Sequence, residues 1–101
     1  MLNEFNKRHR DVMPETITHW TLEAGPNARP VDRNIRQKFS FSDRTDTVDI
    51  KTSEIREVRL PGDKPWLQWR QGVSLARAKQ AWSKAIDKGF VVVSETQSFY
   101  N

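Results

Sequence analysis

Aromatic and cationic side chains are interleaved in the C-terminal part of the sequence, and together they have the chemistry to bind an anionic partner. The set runs through Trp66, Trp69, Arg70, Arg77, Lys79, Lys84 and Lys88. Exposed rings stack on nucleic-acid bases while cations neutralise phosphates. Tryptophan and arginine are equally common anchors of protein–protein interfaces. The residue types therefore indicate binding, and they leave open whether the partner is a protein or a nucleic acid.

Two function classes follow from this set. The first hypothesis is a small non-catalytic accessory or regulatory protein that binds a protein partner with an acidic surface. The alternative is a nucleic-acid-binding module that uses the basic C-terminal third, although no RNA-recognition, zinc-finger, KH or helix-turn-helix pattern is present. The residues predicted to contact the partner are Trp66, Arg70, Arg77, Lys79, Lys84, Lys88 and Arg29. For Trp66 the competing interpretation is a ring that only covers the edge of the core.

The sequence carries no pattern that predicts catalysis. His9-Arg10-Asp11 reads like the tripeptide of a kinase catalytic loop, but the other kinase signatures are missing. His19 alternates with Trp20 in a strand-like stretch and has no partner of known geometry, so it is interpreted as a structural histidine. No Ser-His-Asp or phosphate-loop pattern occurs. We expect a protein that is not an enzyme and needs no cofactor.

Asp43, Asp46 and Asp49 recur every three residues, a spacing that suggests the hypothesis of a calcium or magnesium site. The spacing and the missing glycine do not match an EF-hand loop. A turn that leads into a strand also points the three carboxylates in different directions. Because the chain has no cysteine, disulfides and thiolate zinc sites are excluded. We therefore predict no metal site here and interpret the segment as a solvated acidic turn.

One amphipathic helix is the clearest element that these residues require. Ser74 is a good N-cap, and Gly89 stands where a left-handed residue is expected to end the helix. Apolar residues recur between them at helical spacing. The residues predicted to face the core are Leu75, Ala78, Trp82 and Ile86. The opposite face carries the predicted partner-binding cations, and those near its end complement the helix dipole.

Alternating apolar and polar residues predict a sheet. Strand-like patterns occur at 16–22, 35–42, 48–51, 55–60 and 66–70, and the first strands are predicted to form a meander. Over 66–70 the alternation puts Trp66 and Trp69 on opposite faces, and one of them is expected to help bury the helix. The run from Phe90 to Val93 follows Gly89 directly. Since this run is apolar on both faces, it is predicted to lie inside the sheet.

These elements predict one α+β domain, with an antiparallel sheet of about five or six strands covered by one C-terminal amphipathic helix and a last strand after the helix. A basic arm is expected at 1–14 and the single domain at 15–101. In this chain of 101 residues, 4 Trp and 5 Phe compensate for a hydrophobic content of only 36%. With no apolar run of bilayer length and no signal-peptide stretch, we expect a cytoplasmic protein without membrane insertion.

The stretch Leu67 to Val93, with LARAKQAWSKAIDKGFVVV at its centre, resembles the ending of small uncharacterised proteins of cyanobacteria and their phages. In those proteins an Ala-xxx-Trp helix runs into a Gly-aromatic step and a strand, as Ala78 and Trp82 lead to Gly89 and Phe90 here. The resemblance covers the C-terminal third only. It implies a small accessory or host-interaction protein of phage or cyanobacterial type, and it implies no catalytic residues.

Overall fold

In the part of the chain that the structure describes, five antiparallel strands form one sheet, and a single α-helix packs on one of its faces. The computed structural model describes residues 15–56, 60–62 and 66–100. In chain order the elements are β1 (Glu15–Ala24), a 3-10 turn (Pro30–Asp32), β2 (Ile35–Ser42), β3 (Thr47–Glu54), β4 (Gln68–Ser74), α1 (Leu75–Asp87) and β5 (Phe90–Tyr100). The predicted α+β class with an antiparallel sheet and one helix is confirmed, and the strand count is five.

The strand order across the sheet is β4-β3-β2-β1-β5. The first four strands form the predicted meander, since each pairs with its neighbour in the chain. The helix lies between β4 and β5 rather than after all the strands, and it carries the chain from one edge of the sheet to the other. The last strand follows the helix as predicted and pairs with β1 at the far edge.

Alternation along the strands divides the sheet into two unlike faces. The side that α1 covers holds the buried cluster of Leu22, Phe39, Val48, Ile50, Ala78, Ala85 and Phe90. The alternate positions form an open face with polar side chains such as His19, Ser40 and Asp49. An antiparallel sheet tolerates one solvated face when its strands alternate in this way. The predicted parity of β1, β2 and β3 is therefore confirmed.

The helix lies diagonally over the sheet. It begins at the Ser74 end of β4, level with Thr47, and it ends where Phe90 starts β5 opposite Ala24. These two points are at opposite edges and opposite ends of the sheet. The diagonal of the sheet is longer than its width, and the width of four strand spacings is already about 19 Å. A helix of 13 residues is only about 20 Å long. The described residues consequently leave two corners of the helix-side face uncovered.

Both predicted helix ends are confirmed. The Ser74 side chain accepts a hydrogen bond from the Arg77 backbone N–H, which satisfies one of the free donors of the first turn. Gly89 follows the C-cap with a φ of 91°, where a side chain is disfavoured. A β-carbon at Gly89 would also lie 2.8 Å from the backbone nitrogen of Ala28. The loop after β1 thus packs directly on the join between α1 and β5.

The helix core differs from the prediction at two positions, because Leu75 is 37% exposed and Ile86 is exposed as well. Ala78 is buried and Trp82 is half-buried, but Ile86 is 44% exposed and Ala85 occupies the buried position instead. The rings that pack on Trp82 come from the sheet: Trp20 at 5.9 Å and Phe39 at 5.1 Å between centroids, both edge to face. The expectation that a tryptophan of segment 66–70 buries the helix is therefore wrong.

Three strand predictions also differ from the structure. The Phe90–Val93 run does not lie inside the sheet, because the crossover through α1 delivers β5 to an edge, where its valines are exposed. Strand β4 begins at Gln68, so Trp66 lies before the strand and the alternation of faces along β4 does not determine the side of the sheet on which its ring lies. The strand expected at 55–60 is not formed at Ile55 and Arg56, and 57–59 lie outside the described residues.

The basic arm predicted at 1–14 also falls outside the described residues. Within the part of the chain that the structure describes, no helix has both the length and the apolar character needed to span a bilayer.

Trp82 joins the helix to the sheet, and its removal is expected to destabilise the whole domain. Trp82→Ala should lower the free energy of unfolding by about 3 kcal/mol, because it deletes the ring that contacts both Trp20 and Phe39. Urea denaturation followed by circular dichroism measures this change. Ile86→Ala is the matched control in the same helix and should cost less than about 0.5 kcal/mol. Equal losses for the two variants would contradict this assignment of the core.

Candidate functional site: a basic cleft beside the helix

One of the two uncovered corners forms a basic cleft of about 250 Å³ between the C-terminal half of α1 and strands β2 to β4. Three of the predicted partner-binding cations line it: Arg70, Lys84 and Lys88. Its remaining lining comprises Asp32, Ile35, Gln37, Thr52, Gln68, Ala81, Ala85 and Phe90. We refer to this site as the basic cleft.

Helix and sheet periodicity together bring these cations to one place. Residues three, four or seven apart share a side of a helix, so Lys84 and Lys88 project from the same side of α1, with Arg77 two turns before Lys84 on the same row. Arg70 comes from β4, where it pairs with the buried Ile50 and therefore points to the helix side of the sheet. Strand β4 and helix α1, which are joined at the cap residue Ser74, thus supply the positive charge of the basic cleft.

The basic cleft has few internal counterions. Asp32 is the only acidic residue that the described part of the chain contributes to its lining, and its carboxylate pairs with Arg29 at 3.4 Å. Among the described residues, the ion pairs are Arg29–Asp32 and Arg36–Glu23, so neither involves a cation that lines the cleft. Positive charge therefore exceeds negative charge in this corner.

Gln37 adds a polar group to the same cleft. Its Oε1 is buried and has no hydrogen-bond partner among the described residues. A buried acceptor that stays unpaired costs about 1–3 kcal/mol, and its neighbours in the register, Leu22 and Thr52, do not satisfy it. The sequence contains a signal for this residue, because Gln37 interrupts the apolar series Ile35, Phe39 and Phe41.

The other predicted contacts lie elsewhere. Arg29 adjoins the basic cleft through its pair with Asp32, whereas Arg77 is exposed on α1 outside the lining. Lys79 lines a second, apolar corner on the opposite flank of the helix, where a groove of about 260 Å³ is formed mainly by Trp20, Phe41, Leu75 and Trp82. The predicted residues thus divide among separate surfaces.

Trp66 lies on the open face, away from the cleft. Its ring packs edge to face on Trp69 at 5.0 Å between centroids, and Trp69 pairs with Lys51 across β4 and β3. The Lys51 ammonium lies 5.4 Å from the Trp66 centroid and 4.6 Å from the Trp69 centroid, within cation–π distance of both. The two tryptophans therefore share one side, in contrast to the predicted alternation.

The open face also contains a polar network that the sequence did not predict. The His19 ring is held between two hydroxyls, with Nδ1 2.8 Å from Ser40 Oγ and Nε2 3.1 Å from Ser98 Oγ. A neutral ring donates to one hydroxyl and accepts from the other, so both tautomers are satisfied. Ser42 donates to Glu15 in the same shallow cavity of about 320 Å³. This network links β2, β1 and β5.

The acidic turn uses its carboxylates within the fold. Asp43 accepts a hydrogen bond from the Thr16 backbone N–H at 3.0 Å, and Asp49 accepts one from the Gly72 N–H at 2.8 Å. These partners lie on different strands. Among the described residues, no group of three acidic or histidine side chains is placed to hold a metal ion.

Burial and the nearby Lys38 ammonium lower the pKa of His19 below its usual value of 6.5, with burial the larger cause. Because the unfolded chain binds the proton more readily, stability falls as pH drops from about 7 through the folded pKa. A proton NMR titration, assigned with His9→Gln, should give a His19 pKa below 6.5. Lys38→Gln should raise that pKa without restoring it fully. A His19 pKa of 6.5 or above in the wild type would contradict the burial argument.

His19→Gln provides the matching stability measurement, because glutamine does not titrate in this range. Between pH 7 and pH 5 the wild type should lose more unfolding free energy than this variant.

No protein-family model, curated protein or solved structure matches this chain. The resemblance of the C-terminal third to small cyanobacterial and phage proteins therefore remains a prediction.

Proposed function

We propose that this chain is a non-catalytic accessory or regulatory protein of the cytoplasm, and that its basic cleft binds acidic side chains of a protein partner. The observation that supports this proposal is the convergence of Arg70, Lys84 and Lys88 on one cleft, where Asp32 is the only acid among the described lining residues. A carboxylate from a partner would reduce the excess of positive charge there. The proposal keeps three of the residues that the sequence had suggested and gives them a common role.

The chemistry of the cleft suits a carboxylate. The guanidinium of Arg70 has a planar pair of donors that can bind both oxygens of one carboxylate. Lys84 and Lys88 add ammonium donors from the helix side. The Gln37 amide can turn about its last bond so that its NH₂ group faces the anion, and its oxygen is then no longer directed at the site. Charge-assisted hydrogen bonds of this kind are about twice as strong as neutral ones.

The apolar part of the cleft favours a protein side chain over a free inorganic anion. Ile35, Ala81 and Phe90 lie beside the cations. These surfaces can pack against the methylene groups of glutamate and against neighbouring apolar side chains of a partner. An interface that combines an apolar centre with charged groups around it gives both affinity and specificity.

Nucleic-acid binding remains the runner-up, and the geometry gives it less support. A single-stranded nucleic acid is bound by stacking its bases on rings beside a positive track. Here Trp66 and Trp69 lie on the open face with Lys51, while Arg70, Lys84 and Lys88 lie on the helix side. The rings and these cations therefore do not form one continuous surface.

Charge reversal in the cleft is the direct test. A fluorescein-labelled poly-glutamate peptide should bind the wild type in a fluorescence-anisotropy titration, and its affinity should fall as salt is added. Lys84→Glu and Arg70→Glu should each weaken binding at least about tenfold, because each removes a charged donor and adds a repulsive carboxylate. Lys79→Glu is the matched control, since it makes the same change in net charge on the other flank of α1 and should leave the affinity within about twofold.

Two outcomes would overturn the proposal. Equal weakening by Lys79→Glu and Lys84→Glu would show a general charge effect instead of a cleft. Binding of single-stranded poly-dT in place of poly-glutamate, lost on Trp66→Ala, would instead establish the nucleic-acid alternative on the open face.

A further inference from the structure

Strand β5 is an edge strand with one free side. It pairs with β1 from Tyr100 to Phe90 and has no other neighbour in the described chain. An edge strand presents a row of backbone N–H and C=O groups that can pair with another strand. At 11 residues it is also the longest strand of the sheet.

Most of the features that usually protect an edge are missing from β5. Its sequence FVVVSETQSFY contains no proline and no lysine, and Glu95 is its only charged residue. A register shift leaves Val93 without a partner in β1, between Val92 opposite Leu22 and Ser94 opposite Thr21, and the pairing from Ser94 to Tyr100 is regular. The opposite edge, β4, carries Arg70 and a register shift beside Gly72, whose N–H is bound by Asp49. The two edges therefore differ in their capacity to pair.

Large apolar side chains are exposed along β5. Phe99 is 66% exposed and Tyr100 53%, and the valines at the start of the strand are about as exposed as Tyr100: Val91, Val92 and Val93. The middle of the strand, Ser94 to Ser98, is polar. The strand therefore has an apolar, polar, apolar pattern from one end to the other.

Because of this pattern, β5 is complementary to a second copy of itself that runs in the opposite direction. When two copies of β5 pair antiparallel, the valine end of each lies beside the Phe99–Tyr100 end of the other, and the polar segments meet in the middle. A two-fold axis at Thr96 sets Val93 opposite Phe99 and Glu95 opposite Gln97, so the one carboxylate of each strand does not face its copy. Pairs of an aromatic with a β-branched residue are favourable across strands, and a two-fold axis makes the same contact twice.

We propose that two copies of this chain dimerise through antiparallel pairing of their β5 strands, forming one continuous sheet of ten strands. The two-fold axis stands perpendicular to the sheet, so both helices lie on the same face. The cations of the basic cleft come from β4 and the end of α1, and Phe90, the β5 residue in its lining, is buried, so the cleft remains accessible. The dimer therefore holds two basic clefts at opposite ends of one sheet and does not depend on what either cleft binds.

The oligomeric state in solution provides the first measurement. Sedimentation equilibrium of the full chain should give twice the chain mass. Val93→Lys and Phe99→Glu should each give the monomer mass, because each places a charge in both copies of an apolar contact. Val31→Lys is the control: this residue is 75% exposed in the 3-10 turn and is not part of β5, and the substitution should leave the dimer intact.

A mixing experiment tests the antiparallel arrangement itself. When the Val93→Lys and Phe99→Glu variants are combined, one of the two contacts in a mixed dimer joins a lysine to a glutamate and the other keeps wild-type valine and phenylalanine. The mixture should therefore recover the dimer mass that neither variant shows alone. Circular dichroism of each variant should match the wild type, so that loss of the dimer is not loss of folding.

Several results would overturn this proposal. A wild type that stays monomeric at high micromolar concentration would overturn it, and the free edge of β5 would then be available for pairing with a strand of another protein. Dimers that persist in both variants would place the interface elsewhere. Open-ended assembly into fibres would show strand pairing without the closed two-fold arrangement.

Discussion

A single short helix lies over a sheet that is larger than the helix can cover. The helix must also connect two strands at opposite edges, so it lies along a diagonal and its residues are shared among β3, β4 and β5. The rings of Trp20, Phe39 and Trp82 fill the centre, where one aliphatic helix face alone would leave gaps. The two corners beside the diagonal differ in their side chains, so that one corner is apolar and the other is basic. The site with the most positive lining is thus a geometric result of covering five strands with one helix.

Much of the local structure was predictable because its determinants are local. The Ser74 cap and Gly89 fix α1 to within a residue, and the alternation in β1, β2 and β3 assigns their faces correctly. What failed depends on contacts between distant segments. Whether the run after Gly89 is central or at an edge is decided by where the crossover delivers it, and no pattern within Phe90–Val93 contains that information.

The candidate site shows the same limit. Arg70, Lys84 and Lys88 were predicted as part of one set with Trp66, yet the sheet separates the tryptophan from the cations. Neighbours in a strand point to opposite faces, and the point where a strand begins decides which residues alternate. The contribution of Gln37 could be found only when its unpaired oxygen was seen beside the cations. Proximity along the chain identified the residue types of the site but not the surface that they form.

The attachment of β5 has a consequence for how the domain opens. Phe90 is its only buried residue, and beyond it the strand is held by backbone pairing with β1 and by the Ser98 hydroxyl at the His19 ring. The remainder of the buried cluster belongs to β1, β2, β3 and α1. Segments that bury little apolar surface open at a lower free energy than the global unfolding reaction. When β5 is not paired with a second copy of the chain, we therefore expect its C-terminal half to open as a separate cooperative unit, with its amide hydrogens exchanging with solvent while the remaining four strands and the helix stay folded.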